Sequence, residues 1–332
     1  MPVLLSICIP TYNRPEELIN TLELVFQAWN KDAEIIVIDN ASDIDMESHC
    51  RSLLNFTNVE VKFLRNPVNI GAGGNIARVV EHASGDYIWV LSDDDQPSIH
   101  SVELICSILR SQPNIGYINF QNHWSGPRKN NVFGTGLSSY LKDIENFGGQ
   151  LFISANVFRK SEFLKYIRYA YIYGYSMAGH YAVFLMMLKN HSNYLLSSER
   201  IAEWGETVDW HRLHVSMGVM TLLELPLDLN HDEFKRFAHT LASTLPNDHM
   251  LLRALLSNQV LMPHWQAHYI YNQILSRSKP GRLTPLRDLK YCIILNLLLL
   301  MPCAVLGLLQ KVWEFRSKRN TEISFEDSNS RF

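Results

Sequence analysis

Tyr87-Ile88-Trp89-Val90-Leu91-Ser92-Asp93-Asp94-Asp95 decides how this chain is read: an apolar run ends in three consecutive carboxylates. Neighbouring ionised carboxylates repel one another and lose hydration where a strand meets its core, so their clustering calls for a positive partner. A hard divalent cation with oxygen ligands, Mg2+ or Mn2+, is the simplest such partner. Mg2+ takes one or two protein carboxylates and fills its other positions with water and phosphate oxygens, which points toward a nucleoside diphosphate. The competing reading is a solvated loop in which Ser and Asp cap a turn or a helix start. Position favours the cation, because ligands of open α/β sheets gather outside the carboxyl ends of the strands.

Outward from this strand the chain alternates. Leu4-Leu5-Ser6-Ile7-Cys8-Ile9, closed by Pro10, and Glu34-Ile35-Ile36-Val37-Ile38-Asp39 are nearly continuous apolar runs, the pattern of buried parallel strands. Between them Pro15-Glu16-Glu17 opens an amphipathic helix to Trp29, with Leu18, Leu22, Val25 and Phe26 at helical spacing. A helix over 46–54, a strand over 59–64, a turn at Gly71-Ala72-Gly73-Gly74 and a helix over 75–83 lead into the strand at 86–91. This alternation predicts an α/β fold with a mostly parallel sheet flanked by helices and right-handed crossovers. Farther on, the pattern predicts a helix over 102–109, a strand over 115–120 and a polar loop over 125–136. An edge strand over 148–154 crossing to Phe158, a helix over 182–188 and mainly helices from about Leu213 follow.

With 332 residues the chain exceeds one core's usual limit of roughly 250 to 300 residues, so a large domain plus an appendage is expected. A net charge of −3 offers no polycationic body, which argues against a nucleic-acid partner. Cys8, Cys50, Cys106, Cys292 and Cys303 lack paired spacing, so neither a disulfide frame nor a zinc site is expected. The first eleven residues lack a basic signal region and run directly into a strand, so no secretory signal is expected, in keeping with an expected cytoplasmic location.

If the strands are parallel neighbours, one crevice collects Pro10-Thr11-Tyr12-Asn13-Arg14, Asp39-Asn40-Ala41-Ser42, the glycine turn with Asn75, and the Asp triplet. Asp39 can then accept hydrogen bonds from a base or ribose, the backbone from Gly71 can approach a ligand closely, and Arg14 or Arg78 can offset phosphate charge. Each residue also has an ordinary structural role open to it. Asp39 caps a turn, the glycines permit positive φ, and Arg78 is a solvated helix residue.

These residues resemble the inverting GT-A glycosyltransferases of family two, nucleotide-diphospho-sugar transferases. The likeness rests on Ile9-Pro10-Thr11-Tyr12-Asn13-Arg14, Ile38-Asp39-Asn40-Ala41-Ser42, Arg65-Asn66-Pro67-Val68-Asn69-Ile70-Gly71, and Ala83-Ser84-Gly85-Asp86-Tyr87 leading into the Asp triplet. Including Gly148 to Ser154 and Tyr175 to Met187, the chain is similar to abequosyltransferase-type enzymes of O-antigen assembly. The resemblance implies a nucleotide-sugar donor held by Pro10, Thr11, Tyr12, Arg14, Asp39, Asn40, Gly71, Asn75 and Asp93. It implies Mg2+ or Mn2+ on Asp94, with Asp95 as a further carboxylate at the metal or the sugar. The cation would stabilise the departing nucleoside diphosphate as negative charge grows on it.

One departure concerns the acceptor base. Many members carry an acidic pair on the helix after the edge strand, whereas this chain reads Ser176-Met177-Ala178-Gly179-His180-Tyr181. His180 is the expected base, since a neutral imidazole with a pKa near neutrality can take the hydroxyl proton. A core histidine or a metal ligand is its alternative. From another class, a Rossmann dehydrogenase fits poorly, because the glycines follow the third strand and lack Gly-x-Gly-x-x-Gly spacing. A catalytically silent nucleotide-sugar binding module is a further alternative.

The expected boundaries are a catalytic domain over 1–205, a helical extension over 206–320 and a disordered tail over 321–332. Residues 291–310 are uncharged and long enough to span a bilayer, yet Pro302 and Gly307 interrupt them and basic residues flank both sides. A kinked segment lying on the inner membrane face is expected, which suits a lipid-linked glycan acceptor. Packing against the catalytic domain, or a homodimer contact, is the alternative.

Overall fold

The computed structural model describes residues 3–55, 57–145, 147–174, 178–205 and 221–244. The apolar segment over 291–310, the tail and most of the expected extension lie outside the described residues. The strands are β1 (Leu5–Thr11), β2 (Ala33–Asp39), β3 (Val61–Arg65), β4 (Tyr87–Val90), β5 (Gln96–Pro97), β6 (Tyr117–Asn119), β7 (Val132–Thr135), β8 (Asn156–Arg159), β9 (Asn193–Leu196) and β10 (Ala202–Glu203). The helices are α1 (Pro15–Ala28), α2 (Met46–Asn55), α3 (Ala72–Glu81), α4 (Ser101–Ser111), α5 (Gly136–Asp143), α6 (Gly148–Leu151), α7 (Lys160–Lys165), α8 (Ile167–Ile172), α9 (Gly179–Lys189) and α10 (His231–Thr244).

Eight strands form one sheet in the order β3-β2-β1-β4-β8-β6-β9-β7. The first four are mutually parallel, as the βαβ alternation requires. β8 runs antiparallel between β4 and β6, which makes β6 parallel to β4. β5 and β10 pair separately as a short antiparallel ribbon.

The strands are apolar on both faces because helices cover both. On one face Ile7, Ile9, Ile35, Val37, Trp89 and Val157 pack under Leu18, Leu22 and Val25 of α1 and Val102, Ile105 and Leu109 of α4. On the other Cys8, Ile36, Ile38, Ile88, Val90 and Phe158 meet Ala77 and Val80 of α3 and Phe184 of α9. Full burial of one such side chain stabilises by roughly 1.5–3 kcal/mol, so the period-two alternation fixes which face each residue takes. α10, within the expected extension, contributes Phe237 and Leu241 to this second core.

Three local expectations are corrected. The stretch over 148–154 is not an edge strand: it forms α6 and a short 3-10 turn, and the strand that follows, β8, is central. Asn156 Nδ2 causes the change by donating to the carbonyls of Gln150 (3.0 Å) and Phe152 (2.7 Å), which satisfies the helical turns and defers the strand. Within the polar loop over 125–136, Val132–Thr135 adds an exposed edge strand to β9. The third correction concerns the glycine turn, because α3 begins at Ala72 and holds Gly73 and Gly74 inside it.

Of the turn's glycines, only Gly71 has positive φ, 78°. Gly73 serves instead as a crossing point, since a Cβ there would lie 2.4 Å from the Gly174 carbonyl oxygen. At Gly74 the nearest atom would be the flexible Ile70 side chain, at 3.3 Å. Gly73→Ala should therefore lower stability by about 1–3 kcal/mol in a denaturant titration, whereas Gly74→Ala should cost less than about 1 kcal/mol. Equal losses for the two would refute the close crossing.

Candidate active site

The parallel order of β3, β2, β1 and β4 brings Arg65, Asp39, Thr11 and the Asp triplet to one edge of the sheet. At its centre lies the acidic tip. Thr11 Oγ1 donates to Asp93 Oδ2 at 2.7 Å, and Arg14 Nη1 reaches Asp93 Oδ1 at 3.2 Å and Asp94 Oδ2 at 2.9 Å. Ser92 Oγ donates to Asp94 Oδ1 at 2.6 Å. Asp95 receives the Ser154 hydroxyl at 2.5 Å and the Gly205 N–H at 3.1 Å. The Thr21 hydroxyl of α1 lies 2.9 and 3.1 Å from the backbone carbonyls of Asp93 and Asp95, pinning the turn from below.

Burial dominates the electrostatics. It pushes the Asp93 carboxyl up to about 6, against the pull of the Arg14 guanidinium and the Thr11 hydroxyl. Asp95 is pushed up to about 7, again by burial, with the Ser154 and Gly205 donors opposing it. The positive group that the acidic triplet calls for is, among the described residues, Arg14. Asp94 is the least buried of the three as a whole residue, while its side chain is only 5% exposed and its carboxylate is held by Arg14 and Ser92.

The other predicted donor-binding residues divide. Asp39 is buried and accepts from the Ser42 N–H at 2.9 Å, the Ser42 hydroxyl and Arg65 Nη1. Asn40, Asn69, Asn66 and Asn75 brace the loop after β3: Asn66 Nδ2 donates to Asn40 Oδ1 (3.0 Å) and Asn75 Oδ1 (2.8 Å), and Asn40 Nδ2 donates to Asn69 Oδ1 (2.8 Å). Asn75 also donates to the Ile38 carbonyl. Gly71 caps α3 and is exposed, Tyr12 presents its ring to solvent with 41% exposure, and Pro10 lies within β1. Arg78 forms a surface pair with Glu81. Two residues without glycine's freedom hold positive φ here, Asn13 at 54° and Ala41 at 62°. Asn13 is locked by Asp43 and Ser42, so the loops after β1 and β2 share one rigid frame.

Thr21, Arg65, Asn66, Ser154 and Gly205 belong to the site as supports, although the sequence offers little to single them out. Ser154 and Arg65 fall inside stretches that carry the family likeness. Thr21 is one polar residue on an amphipathic helix, and Gly205 is distant in sequence.

His180 opens α9 and is 4% exposed; neither ring nitrogen finds a hydrogen-bond partner among the described residues. The near-neutral pKa expected for it is not found. Burial pushes it down to about 4, with the backbone of Gln150 a weaker opposing influence, so the ring is neutral at pH 7. Gln150 is itself buried with its side-chain oxygen unpartnered, four residues before Ser154.

Among the described residues no three His, Cys, Asp or Glu side chains converge as a metal cage. A cation that takes one carboxylate and completes its shell with water and phosphate needs no such cage. Asp94 suits that role by its chemistry and its place between Asp93 and Asp95; its two oxygens accept from Ser92 and Arg14, just as those of Asp95 accept from Ser154 and Gly205.

Comparison with known proteins adds a likeness of family and of fold. Residues 6–167 match the family model Glycosyl transferase family 2. Abequosyltransferase RfbV of Salmonella typhimurium is 37% identical over 116 residues, 34% of each chain. GalNAc(5)-diNAcBac-PP-undecaprenol beta-1,3-glucosyltransferase of Campylobacter jejuni is 33% identical over 92 residues, 28% of this chain and 30% of that one. The aligned segments thus span about a third of these relatives' length. The fold resembles S. aureus TarS 1-349, with TM-score 0.55 and 12% identity over 83% of this chain and 89% of that one. It also resembles mannosyltransferase PcManGT of Pyrobaculum calidifontis, solved in complex with GDP-Man and Mn2+, with TM-score 0.53 and 12% identity over 93% and 84% of the two chains. Together the acidic tip, the strands that lead to it and the family-model match make residues 6–167 similar to Glycosyl transferase family 2.

Proposed function

We propose that this chain moves a sugar from a nucleotide-sugar donor to a hydroxyl of a lipid-linked glycan in surface-polysaccharide assembly, with inversion at the anomeric carbon. The observation that carries this reading is the carboxylate tip of β4, set among the ends of parallel strands and braced by Thr11, Arg14, Thr21 and Ser154. The relative in C. jejuni, a GalNAc(5)-diNAcBac-PP-undecaprenol beta-1,3-glucosyltransferase, supports the lipid-linked acceptor. The neighbour solved with GDP-Man and Mn2+ supports the donor class and the metal.

In this proposal Asp94 holds Mg2+ or Mn2+, and Asp95 keeps the turn in place through Ser154 and Gly205. When bound, the cation supplies Lewis-acid stabilisation of the negative charge on the leaving diphosphate. Thr11, Tyr12 and Asp39 line the nucleoside side, and Arg14 offers its guanidinium to both the carboxylates and a phosphate. As the acceptor oxygen bonds the anomeric carbon and the donor C–O bond breaks, its proton goes to a ring nitrogen of neutral His180, whose buried ring the acceptor has to reach. The protein acts at the inner face of the cell membrane, bound through residues 291–310.

Transfer assays against a panel of sugar nucleotides and lipid-linked acceptors test this reading. Asp94→Ala should lose donor binding and transfer together. His180→Gln should keep donor affinity within about threefold while its turnover falls about 10^2-fold or more. Nucleotide binding with no sugar turned over would leave a silent binding module, and an active Asp94→Ala enzyme would remove the metal role.

Arg14 gives a pH test. Because Asp93 is raised in the fold to about 6, what it contributes to stability is present below its ordinary acid range and is lost as pH rises through 6. Removing Arg14 pushes that carboxyl higher still. In chelator-treated protein Arg14→Ala should therefore cost little at pH 5 and about 2–3 kcal/mol at pH 8, measured by denaturant titration. A cost that does not vary with pH would contradict the pairing.

A further inference from the structure

Two tryptophans stand beside the acidic tip and take no part in the roles above. Trp124 and Trp204 are each 38% exposed, and their rings meet edge to face with centroids 5.3 Å apart. Trp124 also leans on the buried Phe152, at 5.3 Å. Large aromatic surface left in water is costly, and rings that adjoin in one exposed patch beside a crevice are suited to binding.

Hydrogen bonds brace the backbone that carries both rings. Asn122, 2% exposed, accepts the Trp124 backbone N–H through its side-chain oxygen at 3.1 Å and donates to the Gly149 carbonyl at 2.8 Å. Arg128 closes the same loop by donating to the carbonyls of Asn119 (2.8 Å) and Ser197 (3.0 Å). On the other side, the residue after Trp204 is Gly205, whose N–H binds Asp95. A Cβ on Gly205 would lie 1.7 Å from the Asp94 carbonyl oxygen, so Trp204 is one residue from the backbone of the tip. Phe152 precedes Ser154, the hydroxyl donor to Asp95, by two residues.

Topology says which substrate these rings would meet. The residues assigned to the nucleoside come from the ends of β1 and β2, on one side of β4. Trp124 follows β6, which is parallel to β4 and lies on its other side beyond β8, so the two chain ends reach the same edge of the sheet. The tip of β4 thus divides the nucleoside half of the crevice from the tryptophan half.

We infer that Trp124 and Trp204 form an acceptor subsite that stacks the C–H face of a pyranose ring, an inference that rests on the glycosyl-transfer reading. The C–H bonds on one face of a sugar carry partial positive charge and complement the negative face of an indole. The hydroxyl edge stays solvated beside the exposed His123 and Glu203. This arrangement recognises a sugar ring by its apolar face and tolerates differences at its hydroxyls.

Saturation-transfer NMR with the methyl glycosides of galactose, mannose, rhamnose and N-acetylglucosamine tests the subsite. UDP and GDP titrated with Mn2+ serve as the donor-side control. With the full chain, saturation should reach the protons of one sugar face. It should fall at least about fivefold in Trp124→Ala and in Trp204→Ala, and persist in the Phe variants at both positions. UDP or GDP affinity should remain within about twofold in all four variants. Glycoside saturation that is absent in the wild type, or unchanged in the Ala variants, would overturn the subsite. Glycoside binding that depends on the tryptophans in a protein that binds neither nucleotide would uphold the platform and sink the transferase reading instead.

Discussion

The structure depends on keeping carboxylates out of water at the end of a core strand. β4 is apolar on both faces, and the chain emerges from it directly into Asp93, Asp94 and Asp95. Asp93 and Asp95 are almost fully buried, and burial raises both carboxyls. An unpaired buried charge would cost several kcal/mol, so the surrounding fold is organised to answer it. Thr11 and Arg14 come from the β1 end, Thr21 from α1, Ser154 from the approach to β8, and Gly205 from beyond β10. Segments far apart in sequence are tied together because each supplies one donor.

The same economy explains the rigidity of the crevice. Asn13 and Ala41 hold left-handed backbone at the ends of β1 and β2, a conformation that costs roughly 1–2 kcal/mol for a residue with a Cβ and persists only where the surroundings enforce it. The enforcement is visible in the Asn13, Ser42 and Asp43 bonds and in the ladder of Asn40, Asn66, Asn69 and Asn75. Loops braced in this way have little further entropy to lose on binding a ligand, which suits the positioning that the proposed transfer requires.

Much of this was legible in the residues. Apolar runs at 4–9, 34–39 and 86–91, separated by amphipathic helices, predicted the parallel half of the sheet, and the Asp triplet lies at the carboxyl end of one of its strands, where it was expected. What escaped was non-local. Asn156 reshapes the segment before it through side-chain bonds to three carbonyls, and no periodicity announces that. Gly73 has no turn to make; it is small because Gly174, a hundred residues on, crosses it. The pKa of His180 depends on complete burial, a tertiary fact that its Ala-Gly-His-Tyr context does not reveal. Arg14 was marked as a phosphate partner, and its contact with two of the three carboxylates became visible only once β1 and β4 were neighbours.

The central claim is that the β4 tip binds a divalent cation together with a nucleoside diphosphate. Electron paramagnetic resonance titration of Mn2+ into the chelator-treated protein, with and without UDP or GDP, tests it most directly. The account predicts one tight site that forms only when the diphosphate is present and disappears in Asp94→Ala. Mn2+ binding of equal strength in wild type and Asp94→Ala, or no nucleotide-dependent site at all, would contradict it.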